Sequence, residues 1–147
     1  MEHLKEKKGK VVGLALSEKR GVRKVGKEKL LFIENAGIEG DGHKNHKKQV
    51  SLLSKEERDR IAKRALNPGD AAENVLIEGI KELSKVPLGT IINIGDDVIL
   101  EVIQIGKECT DSPIHEYTGA PILPNVGVFC KVIKGGWVKI NDKVIVK

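Results

Sequence analysis

The sequence predicts a mainly β fold, a closed or nearly closed β-barrel with one or two peripheral helices. β-Branched residues are concentrated in several short segments, above all in residues 97–105 and 126–133. An internal similarity relates residues 89–99 to residues 135–145, and each copy has the pattern of a strand, a tight turn and a second strand. A barrel is the arrangement that best protects the edges of so many strands.

The chain begins with a charged lead-in at residues 1–8, which we expect to be frayed. Before the repeated segments, strands are predicted at residues 9–16, 29–35, 50–53 and 75–77. Residues 9–147 show neither a domain boundary nor a low-complexity linker, and 147 residues suit a single core. We therefore expect one barrel domain over residues 9–147.

One helix is predicted from Lys55 to about Leu66. Ser54 and Glu57 have the spacing of a capping box, in which each side chain satisfies a backbone N–H near the other. Residues 67–69, with the sequence Asn-Pro-Gly, end the helix. Its apolar stripe is narrow, so we expect it to pack on the outside of the barrel.

Composition excludes several classes of function. No apolar run approaches the roughly 20 residues that span a bilayer, and the charged N-terminus has no signal-peptide pattern, so we expect a cytoplasmic protein. The net charge is +5, but only 3% of residues are aromatic, so stacking platforms for nucleic-acid bases are nearly absent. The positive charge instead favours a solvated lysine-rich surface, anionic small molecules or acidic partners.

The two cysteines occupy different positions in the predicted strands, and we expect both to be free thiols. Cys130 alternates with Val128 and Val132 on one strand face, which predicts a core position. Cys109 follows a strand that ends at Gly106, so its thiol is placed for chemistry, or it is a small apolar group at the barrel rim. Lys107 favours the thiolate and Glu108 opposes it.

Two polar segments upstream are candidates for a site. Residues 37–43 place Asp41 and His43 among three glycines, a composition that exposes backbone N–H groups to an anion or forms a plain turn. Zinc binding by His43 and His46 with Cys109 or His115 has weak support, because paired cysteines are absent. Glu73 and Asn74 precede an apolar strand, where they either hydrogen-bond a neighbouring loop or bind a polar ligand. Prolines in residues 121–124 predict a fixed loop.

Taken together and in order, a set of short motifs resembles the MOSC family, named after the C-terminal domain of molybdenum cofactor sulfurases. The resemblance covers about residues 9–146 and is closest to the short, stand-alone bacterial type. Each motif alone is unspecific, whereas their order and spacing are fairly specific. The motifs are residues 9–12, 37–43, 49–53, 73–74, 87–89, 94–95, 106–109 and 127–129.

The resemblance implies a β-rich barrel with one functional cysteine, here Cys109. That residue would carry sulfur as a persulfide received from a pyridoxal-phosphate-dependent cysteine desulfurase, or would be the ligand of molybdenum in a bound molybdenum cofactor (molybdopterin). Motif match assigns Asp41, His43, Glu73 and Asn74 to the cofactor pocket. Lys107, or the basic loop 20–24, would attract the pterin phosphate.

The resemblance therefore predicts a sulfur-carrier or molybdenum-cofactor-binding domain that works with a sulfur donor or a molybdenum enzyme. A second interpretation is a molybdenum-dependent reductase of N-hydroxylated compounds, which needs a separate redox partner. A third is a non-catalytic interaction module in which the cysteines only pack. Many relatives have a second cysteine shortly after the first, but here Pro113 lies in that region, so a resolving thiol within the loop is absent. Whether this chain alone catalyses a reaction is left open.

Overall fold

The computed structural model describes residues 6–108 and 113–147. Three short helices, α1 (Lys55–Ile61), α2 (Pro113–Thr118) and α3 (Ile122–Val126), and a 3-10 turn at Leu83–Lys85 lie between strands. None of the helices in the described part of the chain is long and apolar enough to cross a membrane. The strands are β1 (Lys7–Leu16), β2 (Val25–Gly26), β3 (Lys29–Ile33), β4 (Gly37–Ile38), β5 (Val50–Ser54), β6 (Val75–Glu78), β7 (Ile91–Ile94), β8 (Val98–Ile105), β9 (Val128–Lys134), β10 (Gly136–Lys139) and β11 (Lys143–Val146).

Seven strands form a closed barrel in the order β11, β7, β8, β9, β5, β6, β1, and the pairing of β1 with β11 closes the ring. The predicted mainly β barrel with peripheral helices is thereby confirmed. Strands β5 and β6 are parallel, whereas the other neighbouring pairs are antiparallel. Strands β10, β3 and β4 form a separate three-stranded sheet, and β2 pairs with the end of β1.

Alternation along the strands builds the core inside the barrel. On β8, Val98, Leu100 and Val102 are buried while the residues between them are partly exposed. Cys130 on β9 is fully buried opposite Val102, as its alternation with valines predicted. Burial of the Cys130 thiol, with a smaller effect of the Glu101 charge, raises its pKa far above the ordinary value. Cys130 is therefore a packing residue in its protonated form.

A second apolar cluster lies on the outer face of the barrel, beneath the helices. It contains Leu53 and Leu76 from the barrel strands, with Ile122 and Leu123 from α3. Strand β5 is consequently buried on both faces, since Val50 and Leu52 belong to the interior cluster. Each such side chain contributes about 1.5–3 kcal/mol on burial. The helices thus cover one sector of the barrel next to the loops described below.

Helix α1 is shorter than predicted, because it ends at Ile61 instead of Leu66. The helix begins as predicted, with Ser54 as its N-cap: Ser54 Oγ accepts a hydrogen bond of 3.2 Å from the Glu57 amide. The Glu57 carboxylate does not complete a capping box, since it accepts hydrogen bonds from the amide and hydroxyl of Ser84. Beyond the helix, the Lys63 amide donates to the Thr118 carbonyl, and this tertiary hydrogen bond draws the chain out of the helix.

The two repeated segments fold differently. In the first copy, β7 and β8 form an antiparallel hairpin. In the second copy, β10 pairs with β3 and β11 pairs with β7 and β1, so the two strands are not partners. Two further boundaries also differ from prediction. Strand β1 begins at Lys7, where it pairs with Val146, and residues 122–126 form α3 instead of a loop.

Candidate functional site

A cavity of about 260 Å³ lies among the loops that follow β4 and β8, the start of β6, and helices α2 and α3. One wall is apolar and includes Phe129 of β9, and the rest is polar or cationic. Its lining residues are Gly21, His43, Lys48, Ser51, Ala71, Ala72, Asn74, Lys107, Pro113, Ile114, His115, Ile122, Leu123 and Phe129. His43, Asn74 and Lys107 are sequence-predicted site residues, and the fold brings them to one place.

Asp41 lies directly behind this cavity and is the centre of a buried polar network. Its Oδ1 accepts hydrogen bonds from Lys24 Nζ at 2.8 Å and from Asn74 Nδ2 and the Ser17 amide, each at 3.2 Å. Its Oδ2 accepts one from the His43 amide at 3.1 Å. The Asp41 and Lys24 side chains are almost inaccessible to solvent, at 0% and 1% exposure. Such a buried pair requires these additional donors to offset the loss of hydration.

The environment of Asp41 stabilises its ionised form. Burial by itself raises its pKa, but hydrogen bonds from His43 and Lys24 and the positive charge of Lys24 outweigh that effect. The pKa of Asp41 consequently lies well below its usual range. The carboxylate is therefore a permanent acceptor that fixes its neighbours, and it is too well satisfied to take up a proton near neutrality.

Asn74 links this network to the barrel. Its Oδ1 accepts hydrogen bonds from the Ser51 amide at 3.1 Å and from the Ser51 hydroxyl at 3.2 Å. Its Nδ2 donates to the Ala15 carbonyl as well as to Asp41. One amide side chain thus joins β1, β5 and the glycine-rich loop. Asn74 and Ser51 contribute polar surface to the cavity wall while remaining rigid.

His43 presents its ring to the cavity from the glycine-rich loop. Its Nδ1 lies 3.4 Å from Asp41 Oδ2, and the side chain is 28% exposed. The loop approaches its neighbour closely at Gly42, where a Cβ atom would lie 2.5 Å from the Glu18 carbonyl oxygen. A larger residue at position 42 would therefore displace the backbone on which both Asp41 and His43 depend.

The other histidines do not complete a zinc site in the described part of the chain. The rings of His43 and His46 meet edge to face with centroids 5.8 Å apart. His46 is exposed, as predicted. Partial loss of hydration of its ring, followed by the charges of Arg20, His43 and Lys48, lowers its pKa. Among residues 6–108 and 113–147, no group of three or more His, Cys, Asp or Glu side chains is placed to bind a metal ion.

Lys107 and Lys48 make the cavity cationic. Lys107 as a residue is exposed, but partial burial of its ammonium group and the charges of Lys48 and Lys24 lower its pKa. Lys48 Nζ lies 5.5 Å from the centroid of the Phe129 ring. Lys24 is paired with Asp41, and the lysines that line the cavity among the described residues are Lys48 and Lys107. These two ammonium groups favour an anionic ligand.

Glu73 is adjacent to Asn74 in sequence but does not line the cavity. Its carboxylate oxygens accept hydrogen bonds from the Gly69 amide at 2.9 Å and the Ala71 amide at 3.2 Å. Burial raises the pKa of Glu73 to about 7, although those backbone donors and the charge of Arg58 lower it. Glu73 therefore supports residues 69–72, which bring Ala71 and Ala72 to the cavity wall.

The predicted functional residue Cys109 lies outside the described residues. Residues of the basic loop 20–24 have different environments. Lys24 is buried in its ion pair with Asp41, whereas Gly21 lines the cavity. Sequence reasoning missed Ser51 and Lys48 as parts of the cavity, and it considered His115 only as a zinc ligand beside His43. The predicted strand at residues 50–53 was a usable signal for Ser51, because a serine within an apolar strand leaves a buried hydroxyl that needs a partner.

The architecture defines a class: a β-barrel with a small cationic cavity between its loops and peripheral helices. A family model described as "MOSC domain" matches residues 39–145. This match covers more than half of the chain, so the protein belongs to the MOSC domain family. The family is linked in general to molybdenum-cofactor-related function. No curated protein gives a significant match to the chain.

Solved structures share the fold at low sequence identity. The YUAD protein from Bacillus subtilis is 22% identical, with a TM-score of 0.81 and coverage of 97% of each chain. YiiM from Escherichia coli is 18% identical with a TM-score of 0.63, and the match covers 94% of this chain and 69% of that one. YiiM from Geobacillus stearothermophilus is also 18% identical, with a TM-score of 0.61 and coverage of 95% and 73%. These similarities concern the fold alone.

Proposed function

We propose that the protein is a sulfur-carrier or molybdenum-cofactor-binding domain that works through Cys109, as a persulfide acceptor or as a molybdenum ligand. The observation that supports this proposal most strongly is the cationic cavity. Lys107 and Pro113, which precede and follow residues 109–112 in the chain, both line it. The Cα atom of Cys109 is two residues from that of Lys107, a span of at most about 7.6 Å. This short chain connection to a residue of the cavity lining makes Cys109 our candidate acceptor or ligand.

The cavity provides what a reactive thiol needs. Sulfur transfer requires a thiolate, and nearby ammonium groups such as those of Lys48 and Lys107 lower the pKa of a thiol. In the proposed transfer, the Cys109 thiolate attacks the outer sulfur of a persulfide on the donor. A new S–S bond forms, the donor's S–S bond breaks, and the donor leaves as a thiolate. The exchange needs no external oxidant or reductant.

The same residues fit a phosphate-bearing molybdenum cofactor. Lys48 and Lys107 would bind the phosphate, and Ile122, Leu123 and Phe129 would pack against the ring system. When bound, the cofactor would supply a molybdenum centre that changes oxidation state. A thiolate is a suitable soft ligand for such a centre. The partners we propose are a cysteine desulfurase-type sulfur donor and a molybdenum enzyme that accepts sulfur or cofactor.

The decisive experiment is mass spectrometry of peptides from protein incubated with cysteine and a cysteine desulfurase. We expect one additional sulfur atom on the peptide that contains Cys109, and none after Cys109→Ser substitution. Cys130→Ala is the matched control, because Cys130 is buried and protonated and should not take part. Persistence of the added sulfur in Cys109→Ser protein would refute the assignment.

The cofactor role is tested separately by metal and pterin analysis of protein purified from molybdate-replete cells. We expect molybdenum and pterin in the wild type, and loss of both when Lys48 and Lys107 are replaced by glutamine together. Replacement of the exposed Lys63 and Lys81 by glutamine together is the charge-matched control. Absence of pterin from wild-type protein that still acquires sulfur would leave the carrier role and exclude cofactor binding.

A further inference from the structure

The two ring nitrogens of His43 have different surroundings. Nδ1 lies 3.4 Å from Oδ2 of Asp41, whose side chain is fully buried. An ionised carboxylate only accepts hydrogen bonds, so an unprotonated Nδ1 would direct its lone pair at the lone pairs of the carboxylate oxygen. The proton of the neutral ring therefore lies on Nδ1. Nε2 is on the opposite side of the ring, and it keeps its lone pair as an acceptor.

Asp41 fixes this arrangement and does not compete for the proton. Burial raises the pKa of Asp41, but hydrogen bonds from His43 and Lys24 outweigh burial and hold that pKa well below its usual range. Lys24 Nζ, at 2.8 Å, already balances the charge of the carboxylate. The backbone amide of His43 also donates to Asp41, at 3.1 Å. Asp41 is therefore a positioning residue, because its main effect on the ring is to determine which nitrogen is protonated.

The other members of the network cannot take up a proton from a reactant. Asn74 uses both of its N–H donors on Ala15 and Asp41, and its Oδ1 accepts two hydrogen bonds from Ser51. Neither an amide nor a hydroxyl is protonated near neutral pH. Within the group of Asp41, Ser51, Asn74 and His43, only His43 can accept a proton. His43 lines the cavity with 28% of its side chain exposed, so a reactant can reach the ring on the side away from the buried Asp41.

Charged and titratable groups surround the His43 ring on several segments of the cavity. Among the described residues these groups are Asp41, Lys24, His46, Lys48, Lys107 and His115. Transfer of a proton from a thiol to Nε2 creates a thiolate and an imidazolium. The ammonium groups of the cavity favour the thiolate. The Asp41 carboxylate, 3.4 Å from Nδ1, favours the imidazolium.

We propose that His43 is the proton acceptor of the cavity and that Asp41 fixes its tautomer. This role rests on the proposed function, in which the reacting group is the Cys109 thiol. The S–H bond breaks, its electron pair stays on sulfur, and the proton binds to His43 Nε2. The thiolate attacks the outer sulfur of the donor persulfide, R–S–SH, and the S–S bond of the donor breaks. The imidazolium returns its proton to the departing thiolate, so no oxidant or reductant is needed.

The first experiment measures the rate of sulfur acquisition on the Cys109 peptide as a function of pH. His43→Asn keeps an N–H donor in place of Nδ1 but has no acceptor in place of Nε2. An ordinary thiol, with a pKa of about 8.5, is only about 1% ionised at a pH of about 6.5. At that pH we expect His43→Asn protein to react at least about tenfold more slowly than the wild type. The two rates should converge by about pH 9.5, where a thiol ionises without a base.

The control variant is His46→Asn, which replaces an exposed histidine of the same loop and should behave like the wild type at every pH. An equal rate in His43→Asn and wild-type protein at low pH would overturn the proposal. A deficit that stays the same up to high pH would also overturn it, because His43 would then only shape the cavity.

Alkylation of Cys109 by iodoacetamide is measured in parallel, because alkylation needs the thiolate but no sulfur donor. If the wild type acquires no sulfur while the alkylation rates of wild type and His43→Asn converge at high pH, the sulfur-carrier role fails and the role of His43 stands. If the wild type acquires sulfur while the alkylation rates are equal at every pH, only the role of His43 fails.

Nitrogen-15 NMR of the imidazole rings tests the positioning role of Asp41. The chain has four histidines, and His43→Asn identifies the signals of His43. We expect the neutral His43 ring of the wild type to be protonated on Nδ1. The double variant Lys24→Met with Asp41→Asn leaves neither charge of the pair behind, and its new amide can donate to Nδ1, so the proton should move to Nε2. A wild-type ring protonated on Nε2, or an unchanged tautomer in the double variant, would overturn the assignment.

Discussion

Replacement of Asp41 by asparagine should cause a large loss of stability. The substitution leaves the ammonium of Lys24, whose side chain is 1% exposed, without a counter-charge. It also replaces one of the two carboxylate oxygens by an NH₂ group, which cannot accept from the Ser17 or His43 amide. Removing one partner of a buried ion pair typically costs about 3–5 kcal/mol. That loss is a large part of the 5–15 kcal/mol by which a domain is typically stable.

The measurement is urea unfolding at pH 7 followed by circular dichroism. Glu39→Gln is the matched control, because Glu39 pairs with Lys44 at the surface, where the two side chains are 55% and 33% exposed. That substitution should cost less than about 1 kcal/mol. The double variant Lys24→Met with Asp41→Asn should be more stable than Asp41→Asn alone, because the uncompensated charge has been removed. A loss below 1 kcal/mol for Asp41→Asn would refute the reasoning, as would a double variant less stable than the single one.

Two further predictions concern the loop behind the cavity. Because the folded-state pKa of Glu73 is about 7 against an ordinary 4.5, its contribution to stability is fully present below pH 4.5 and is lost as pH rises through 7. The loss amounts to about 3 kcal/mol. In Glu73→Gln protein, the free energy of unfolding should therefore fall less between pH 5 and pH 8 than it does in the wild type. An unchanged slope would contradict this prediction. Gly69→Ala should destabilise by about 1–3 kcal/mol or more, because Gly69 has a φ of +88° and its Cβ would lie 2.4 Å from the Lys24 carbonyl oxygen. Gly21 is the control, because it has a φ of +75° but open space around it, so Gly21→Ala should cost only about 1 kcal/mol in the same urea unfolding experiment. Equal losses in the two variants would show that the clash at position 69 has no effect.

The barrel could be predicted because its signals are local. Alternation along a strand decides which face a residue occupies, and this sufficed to place Cys130 in the core. Strand pairing is not local. The segments 89–99 and 135–145 are alike in sequence, yet only the first folds as a paired hairpin. In the second, β10 finds its partner in β3, more than a hundred residues earlier, which no pattern within the repeat could indicate.

The end of α1 and the full set of cavity residues could not be predicted either, because both depend on contacts between residues far apart in the sequence. Residues after Ile61 keep a helical pattern in sequence, but the hydrogen bond from Lys63 to Thr118 takes them out of the helix. Asp41 and His43 could be selected from their glycine-rich surroundings. Lys24 could not be recognised as the counter-charge of Asp41, since seventeen residues separate them and its neighbours predicted a surface loop.

Glu73 and Asn74 show how adjacent residues with similar polarity acquire different functions. Both immediately precede β6, but their side chains have different partners. Asn74 donates a hydrogen bond to Asp41 and lines the cavity, whereas Glu73 accepts hydrogen bonds from the amides of residues 69 and 71. One residue determines the polar wall of the cavity, and the other determines the position of the loop that completes the wall. Burial raises the pKa of Glu73 to about 7, whereas the pKa of Asp41 lies well below its usual range. A rise in pH across neutrality therefore ionises Glu73 and should loosen residues 69–72, while the network around Asp41 stays intact.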